Sequence, residues 1–135
     1  MKDKFNEATL QRPEGDRILD APMVTMDLSS LTTQIRQEPA WQNSDRNSIT
    51  ILKNRSMQIM LIALHAGAEM KTHAAPGQIS VQVLEGQIKF NTEQQSAELS
   101  EGQMLSLRQG IQHSVMANIE SIFLLTISLG NPTAP

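Results

Sequence analysis

Short apolar segments separated by turn residues fill the chain from Ser48 almost to its end. SITILK, MQIMLIAL and ISVQVLEG show the alternation, or the continuous apolar run, that is typical of strands. Many short strands with frequent turns indicate an all-β fold, either a closed barrel or a sandwich. The turn residues recur at intervals of roughly ten residues; they are Asn54, Gly67, Gly77, Gly86, Gly102 and Gly110.

The later strands are predicted in QIKFNTE, SAEL, MLSL and IESIFLLTISL. Glu85–Gly86 is predicted to form a hairpin between ISVQVL and QIKFNTE. Side chains two residues apart lie on the same face of a strand. We therefore expect Ile79, Val81 and Val83 to point into the barrel together, and the residues between them to point out.

One helix is predicted before the strands, in VTMDLSSLTTQIRQEPAW. Asp27 or Ser29 could cap its first turn, and Pro39 is expected to end it. The helix would pack one face against a larger element. Its apolar positions at helical spacing are Leu28, Leu31 and Ile35.

These patterns divide the chain into three parts. Residues 1–47 form an N-terminal arm with one short helix, residues 48–130 form the barrel, and residues 131–135 form a free tail. A chain of 135 residues can bury one sizeable core.

The composition excludes several classes of function. There is no cysteine, so neither a disulfide framework nor a thiolate metal site can form. The net charge of −3 and the scattered basic residues argue against a nucleic-acid partner. No apolar segment is long enough to cross a bilayer as a helix, and the polar N-terminus does not resemble a signal peptide. We therefore expect a cytoplasmic protein without a membrane partner.

Two glycine and histidine clusters carry a family resemblance. Gly67 is followed after five intervening residues by His73, and Gly86 closes the first cluster. Gly102, Gly110 and His113 form the second. This arrangement resembles the paired motifs of the cupin superfamily.

The resemblance extends over residues 48–129. It is greatest to small single-domain, RmlC-like (cupin 2 conserved barrel) proteins whose first motif ends in H-x-A-P-G, a group largely without assigned activity. It implies a double-stranded β-helix, also called a jelly-roll barrel.

The resemblance also implies where a metal would bind. Metal-binding cupins use two histidines and a glutamate from the first motif and one histidine from the second, and they hold a divalent cation such as iron, manganese, nickel or zinc. His73 and His113 stand at two of these positions. Ala75 and Ile79 stand at the other two, and neither can donate an electron pair.

Other residues could replace the missing ligands or line a pocket. His65 could complete a three-histidine site, Gln78 could offer an amide oxygen, and Glu69 is a further candidate. Arg108 could bind a carboxylate group through both of its terminal nitrogens. Each of these residues can also be interpreted without a functional role, as a histidine at a strand end or as a polar residue in a turn.

Three functions remain open from the sequence. The barrel could catalyse proton transfer on a small organic acid or carbonyl compound, with His73 and His113 as acid and base. It could instead bind and sense a small molecule without catalysis. It could also be a structural homodimer with a vestigial metal site. A homodimer is expected in any of these cases, because apolar residues occupy the outward positions of the strands.

Overall fold

The strands form two antiparallel sheets that face each other, as the sequence predicts. The computed structural model of the protein describes residues 4–5 and 18–130, so the predicted tail and most of the first 17 residues of the predicted arm lie outside the described residues. Strands β1 (Lys4–Phe5) and β2 (Ile18–Asp20) pair with each other in a separate small sheet.

The larger sheet has five strands, in the order β3, β4, β11, β6, β9. Their bounds are Arg46–Lys53 for β3, Met57–Leu64 for β4, Ser121–Ser128 for β11, Gln78–Glu85 for β6 and Met104–Leu107 for β9. The smaller sheet has the order β5, β10, β7, β8. Its bounds are Glu69–His73 for β5, His113–Ala117 for β10, Gln87–Thr92 for β7 and Ser96–Ser100 for β8.

The main hydrophobic core lies between the two sheets. Ile79, Val81 and Val83 all belong to it and are almost completely buried, which confirms their predicted common inward face. The facing sheet contributes Ile88, Phe90, Leu99, Val115 and Ala117. This apolar interior is the principal source of stability, because burial of apolar surface is the dominant favourable term in folding.

A second core covers the outer face of the five-stranded sheet. Helix α1 (Leu28–Gln37) begins after the N-cap Asp27, whose carboxylate accepts a hydrogen bond from the Ser30 backbone nitrogen. Helix α2 (Pro39–Asn43) follows at once, so Pro39 both ends the predicted helix and begins a second one. The helices pack Leu31, Ile35 and Trp41 against Ile49, Ile51, Leu61, Ala63 and Ile122.

This helical layer changes one expectation from the sequence. The apolar outward positions of β3, β4 and β11 are covered by the protein's own helices. They therefore give no support to the predicted homodimer, which stays a prediction.

Two strands were not recognised in the sequence. They are β5 and β10, which pair with each other and carry the two motif histidines. Strand β5 has mostly exposed residues and β10 is only five residues long, so neither shows a clear apolar pattern.

The predicted hairpin at Glu85–Gly86 is wrong, because β6 and β7 belong to different sheets. Gly86 instead forms a corner, with φ +88°. A Cβ atom there would collide with the Glu120 carbonyl oxygen and with Ser121. The Ser121 hydroxyl holds the corner by bonding both the backbone nitrogen and the carbonyl oxygen of Gln87, each at 3.0 Å.

A pair of alanine substitutions tests this corner. Gly102 has almost the same φ, +86°, but open space around the position of a Cβ atom. Gly102→Ala should therefore cost about 1 kcal/mol of unfolding free energy, for the left-handed backbone alone. Gly86→Ala should cost about 2 kcal/mol more, because main-chain atoms would have to move. Urea denaturation measures both variants, and equal losses would contradict the close approach at Gly86.

Candidate functional site

The two motif histidines lie side by side on neighbouring strands. His73 on β5 is directly opposite His113 on β10, and their ring centroids are 4.3 Å apart with planes tilted by 57°. His113 is 4% exposed, whereas His73 is exposed to solvent. The structure thus brings together the two residues that the sequence singled out as site residues.

A β-bulge gives His73 its position. Val115 pairs with Met70 and His113 pairs with His73, so the two residues between Met70 and His73 face only Ser114. The extra residue reverses the alternation along β5. As a result, His73 and Met70 lie on the same face although they are three residues apart.

Both imidazole rings are held through the same nitrogen. His73 Nδ1 lies 2.8 Å from the carbonyl oxygen of Lys71, and His113 Nδ1 lies 3.0 Å from that of Ile111. A carbonyl oxygen can only accept, so each Nδ1 carries the proton. In the neutral rings Nε2 therefore has a free lone pair, and neither Nε2 bonds to another described residue.

The surroundings of His113 favour its neutral form. Burial lowers its pKa below the ordinary 6.5; the Ile111 carbonyl acts in the opposite direction, and the neighbouring His73 lowers the pKa further. Its ring also stacks on Phe90, with centroids 5.0 Å apart and planes within 12°. At neutral pH, His113 therefore presents an uncharged acceptor nitrogen.

The cupin resemblance implies a metal, but the donor set of this chain does not fit one. Ile79 is 2% exposed and belongs to the main core, and Ala75 packs against that core. The two positions that supply ligands in metal-binding cupins are thus part of the apolar interior. Among the residues that the structure describes, no group of three or more histidines, aspartates or glutamates could hold a metal ion. Two imidazoles alone fall short of the three protein ligands of catalytic zinc sites.

The three proposed substitutes for the missing ligands do not join the pair. His65 stacks on Trp41 with ring centroids 3.5 Å apart, and its Nε2 bonds the Trp41 carbonyl oxygen at 2.8 Å. It thus belongs to the contact between α2 and the sheet, and the three-histidine site does not form. Gln78 is exposed and precedes the inward-facing Ile79, so it lies on the opposite face of β6. The Glu69 side chain is exposed at the far end of β5 from His73.

The loops that carry the two motifs are joined to each other. The backbone nitrogen of Gly110 donates to the carbonyl oxygen of Ala75 at 3.3 Å. At Gly77, a Cβ atom would collide with the carbonyl oxygen of Ser128, so only glycine lets this loop approach the end of β11. These contacts hold the loop after His73 against the loop before His113.

Two adjoining cavities open at this end of the barrel, and His113 lines one of them. The smaller, of about 270 Å³, is lined by His113. The larger, of about 800 Å³, is lined by Arg108, Leu107 and Ile111. Both are also lined by Thr92, Glu93 and Gln112, so they adjoin at the rim of the barrel. We call the larger one the rim cavity.

Arg108 was predicted from the sequence as a pocket residue, but the other polar residues at the rim were not. Thr92 and Glu93 lie at the end of β7 and in the turn to β8, and Gln112 lies just before β10. Polar residues in turns are ordinary, so nothing in their pattern distinguishes them. Only the pairing of β7 with β10 shows that these two turns meet.

Comparison with solved structures identifies the architecture. A conserved protein of unknown function from Streptococcus pyogenes is 25% identical, with a TM-score of 0.62; the match covers 66% of this chain and 78% of that one. A cupin superfamily protein from Desulfitobacterium hafniense is 16% identical, with a TM-score of 0.62 and coverage of 65% and 80%. A cupin-2 domain containing protein from Shewanella frigidimarina is 17% identical, with a TM-score of 0.62 and coverage of 77% and 94%.

No protein-family model matches the chain, and no curated protein matches it. The structural likeness nevertheless confirms the predicted barrel of two facing antiparallel sheets. The chain is a small protein with the cupin fold. No helix among its described residues is long and apolar enough to span a membrane.

The lowered pKa of His113 predicts a pH dependence of stability. Below pH 6.5 the unfolded chain takes up a proton at this residue that the folded protein resists. This contribution to the free energy of unfolding is fully present above pH 6.5 and decreases as the pH falls toward the lowered folded pKa. The stability difference between wild type and His113→Gln should therefore shift in favour of the variant as the pH falls. Urea denaturation at several pH values measures it, and parallel curves would contradict the burial of a neutral His113.

Proposed function

We propose that the protein binds a small polar organic molecule at the rim of its barrel without a metal. The observation that carries this proposal is that two oriented imidazoles lie together while apolar residues occupy the remaining ligand positions. Nδ1 of each ring is fixed by a carbonyl oxygen, so Nε2 is the atom available to a ligand. Ala75 and Ile79 stand where a cation's remaining ligands would be needed.

The rim cavity gives the ligand room next to the smaller cavity that His113 lines. Its volume of about 800 Å³ lies within the range typical of small-molecule sites. A hydroxyl, amide or protonated carboxyl group of the ligand could donate a hydrogen bond to His113 Nε2. Arg108, in the wall of the adjoining rim cavity, could bind a carboxylate of the same ligand. The proposed ligand is therefore a small organic acid or a related carbonyl or hydroxyl compound.

Catalysis is a second candidate, favoured by the state of His113. A neutral imidazole with a free Nε2 and a lowered pKa can accept a proton from a substrate near neutral pH. The His113 imidazolium formed in this step could return the same proton to another atom of the substrate, and the tilted His73 ring, 4.3 Å away, could accept a hydrogen bond from the substrate at its Nε2. Such proton transfer needs no metal and would isomerise a small carbonyl compound.

A metabolite screen in the presence of a chelator tests the proposed function. We expect at least one small organic acid or hydroxy compound to raise the melting temperature of the untagged protein with EDTA present, because binding to the folded state stabilises it. His113→Gln should remove that increase. The matched control is Lys53→Ala, an exposed residue on β3, which should keep the full increase.

Each outcome of the screen decides a different point. Conversion of the stabilising compound, lost in both His73→Gln and His113→Gln, would establish catalysis; stabilisation without conversion would establish binding alone. An increase that EDTA abolishes, or that His113→Gln leaves intact, would contradict the proposed site.

A further inference from the structure

The wall of the rim cavity contains one positive and one negative side chain, and neither has a partner among the residues that the structure describes. Arg108 and Glu93 both line it. Within residues 18–130, neither side chain makes an ion pair or a hydrogen bond. By contrast, Arg36 bonds Glu85 and Glu120, and Arg46 bonds Asp45.

The remaining polar groups of this wall are mostly amides. Gln94, Gln95 and Gln112 line it, and their side chains make no hydrogen bond to another described residue. A primary amide offers two donors and one acceptor oxygen, which complement the donor and acceptor of a peptide unit. The Thr92 hydroxyl, in contrast, is occupied, because it bonds the Gln95 carbonyl oxygen at 3.1 Å.

From these features we propose that the rim cavity binds a zwitterion, a molecule with one carboxylate and one ammonium group, and that its natural occupant is a short peptide with free ends. Arg108 would bind the carboxylate and Glu93 the ammonium group. The three glutamine amides would bond the peptide units between them. The cavity's volume of about 800 Å³ also suits a molecule larger than a single amino acid.

This inference rests on the proposed function, since it names the ligand class of the same barrel rim. It adds a preference for zwitterions over ligands with a single charge, which the histidine pair alone does not predict. A ligand with only a carboxylate would leave Glu93 without an ion-pair partner, and a ligand with only an amine would leave Arg108 without one. Either ligand makes one charge-assisted contact fewer than the zwitterion and therefore binds more weakly.

Three forms of one dipeptide test the inference: alanyl-glutamine, its N-acetyl derivative and its C-terminal amide. Isothermal titration of the untagged full chain at low salt, with EDTA present, should show the free dipeptide binding about fivefold or more tightly than either blocked form. Low salt is chosen because exposed charges are screened by ions. Equal affinity for all three forms would overturn the inference.

Single-charge variants locate the two contacts. Arg108→Gln should weaken binding of the free dipeptide about fivefold or more and remove its advantage over the C-terminal amide. Glu93→Gln should remove the advantage over the N-acetyl form in the same way. Arg55→Gln and Glu101→Gln change the same charges at exposed turns outside the cavity and should leave all affinities unchanged. Equal effects of the cavity variants and their controls would overturn the inference.

The two proposals fail in distinguishable ways. If no form of the dipeptide binds, but a compound from the screen stabilises the wild type and not His113→Gln, the peptide inference is wrong and the proposed function stands. If the dipeptide binds and depends on Arg108 and Glu93 but not on His113, the rim cavity is a site of its own and the proposed role of the histidines is wrong.

Discussion

The antiparallel pairing of β5 with β10 is the contact on which the site depends. It places His73 directly opposite His113, and the bulge between Met70 and His73 turns the first histidine to the same face as the second. Two carbonyl oxygens then fix the rings through Nδ1, and neither Nε2 bonds to another residue in the described part of the chain. The loops beyond these strands are joined by the bond from Gly110 to Ala75, which keeps the two histidine-bearing segments together.

The surroundings of the histidine pair are apolar rather than ligating. Of the other two positions that supply ligands in metal-binding cupins, one belongs to the core and the other packs against it. Ile79 packs between the sheets with Val81 and Val83, and Ala75 packs against them. A carboxylate at position 79 would have to be buried in an apolar environment, which is costly for an unpaired charge. The His113 ring is compatible with this apolar environment, because a neutral imidazole whose Nδ1 donates a hydrogen bond can be buried next to Phe90. The apolar interior and the lack of further metal ligands around the histidine pair therefore have the same cause.

The all-β class could be predicted because turn spacing and alternation are local signals, whereas the jelly-roll barrel followed from the resemblance of the glycine and histidine motifs to those of cupins. Strands such as β4 and β6, with their continuous or alternating apolar residues, could be predicted from these signals alone. The corner at Gly86 could not, because a glycine between two strands fits a hairpin and a crossing between sheets equally well. The cap at Asp27 follows from local chemistry, whereas the second helix after Pro39 depends on packing of Trp41.

The candidate site was predictable only in part, for a similar reason. His73 and His113 occupy motif positions, and their contact follows from the fold that the motifs imply. His65 stacks on Trp41 instead of joining the histidine pair, because α2 packs next to it. No local sequence pattern shows where α2 packs. Glu93 and Gln112 come together only through the pairing of β7 with β10, and no short pattern reports such long-range proximity.

The central claim is that this cupin barrel retains a histidine pair but no metal centre, and elemental analysis tests it most directly. The untagged protein would be analysed for iron, manganese, nickel and zinc as purified, and again after incubation with each ion and desalting. We predict less than about one tenth of an equivalent per chain in both cases, since two imidazoles with apolar neighbours hold a cation weakly. Near-stoichiometric metal that is lost in the His73→Ala/His113→Ala double variant would contradict the account.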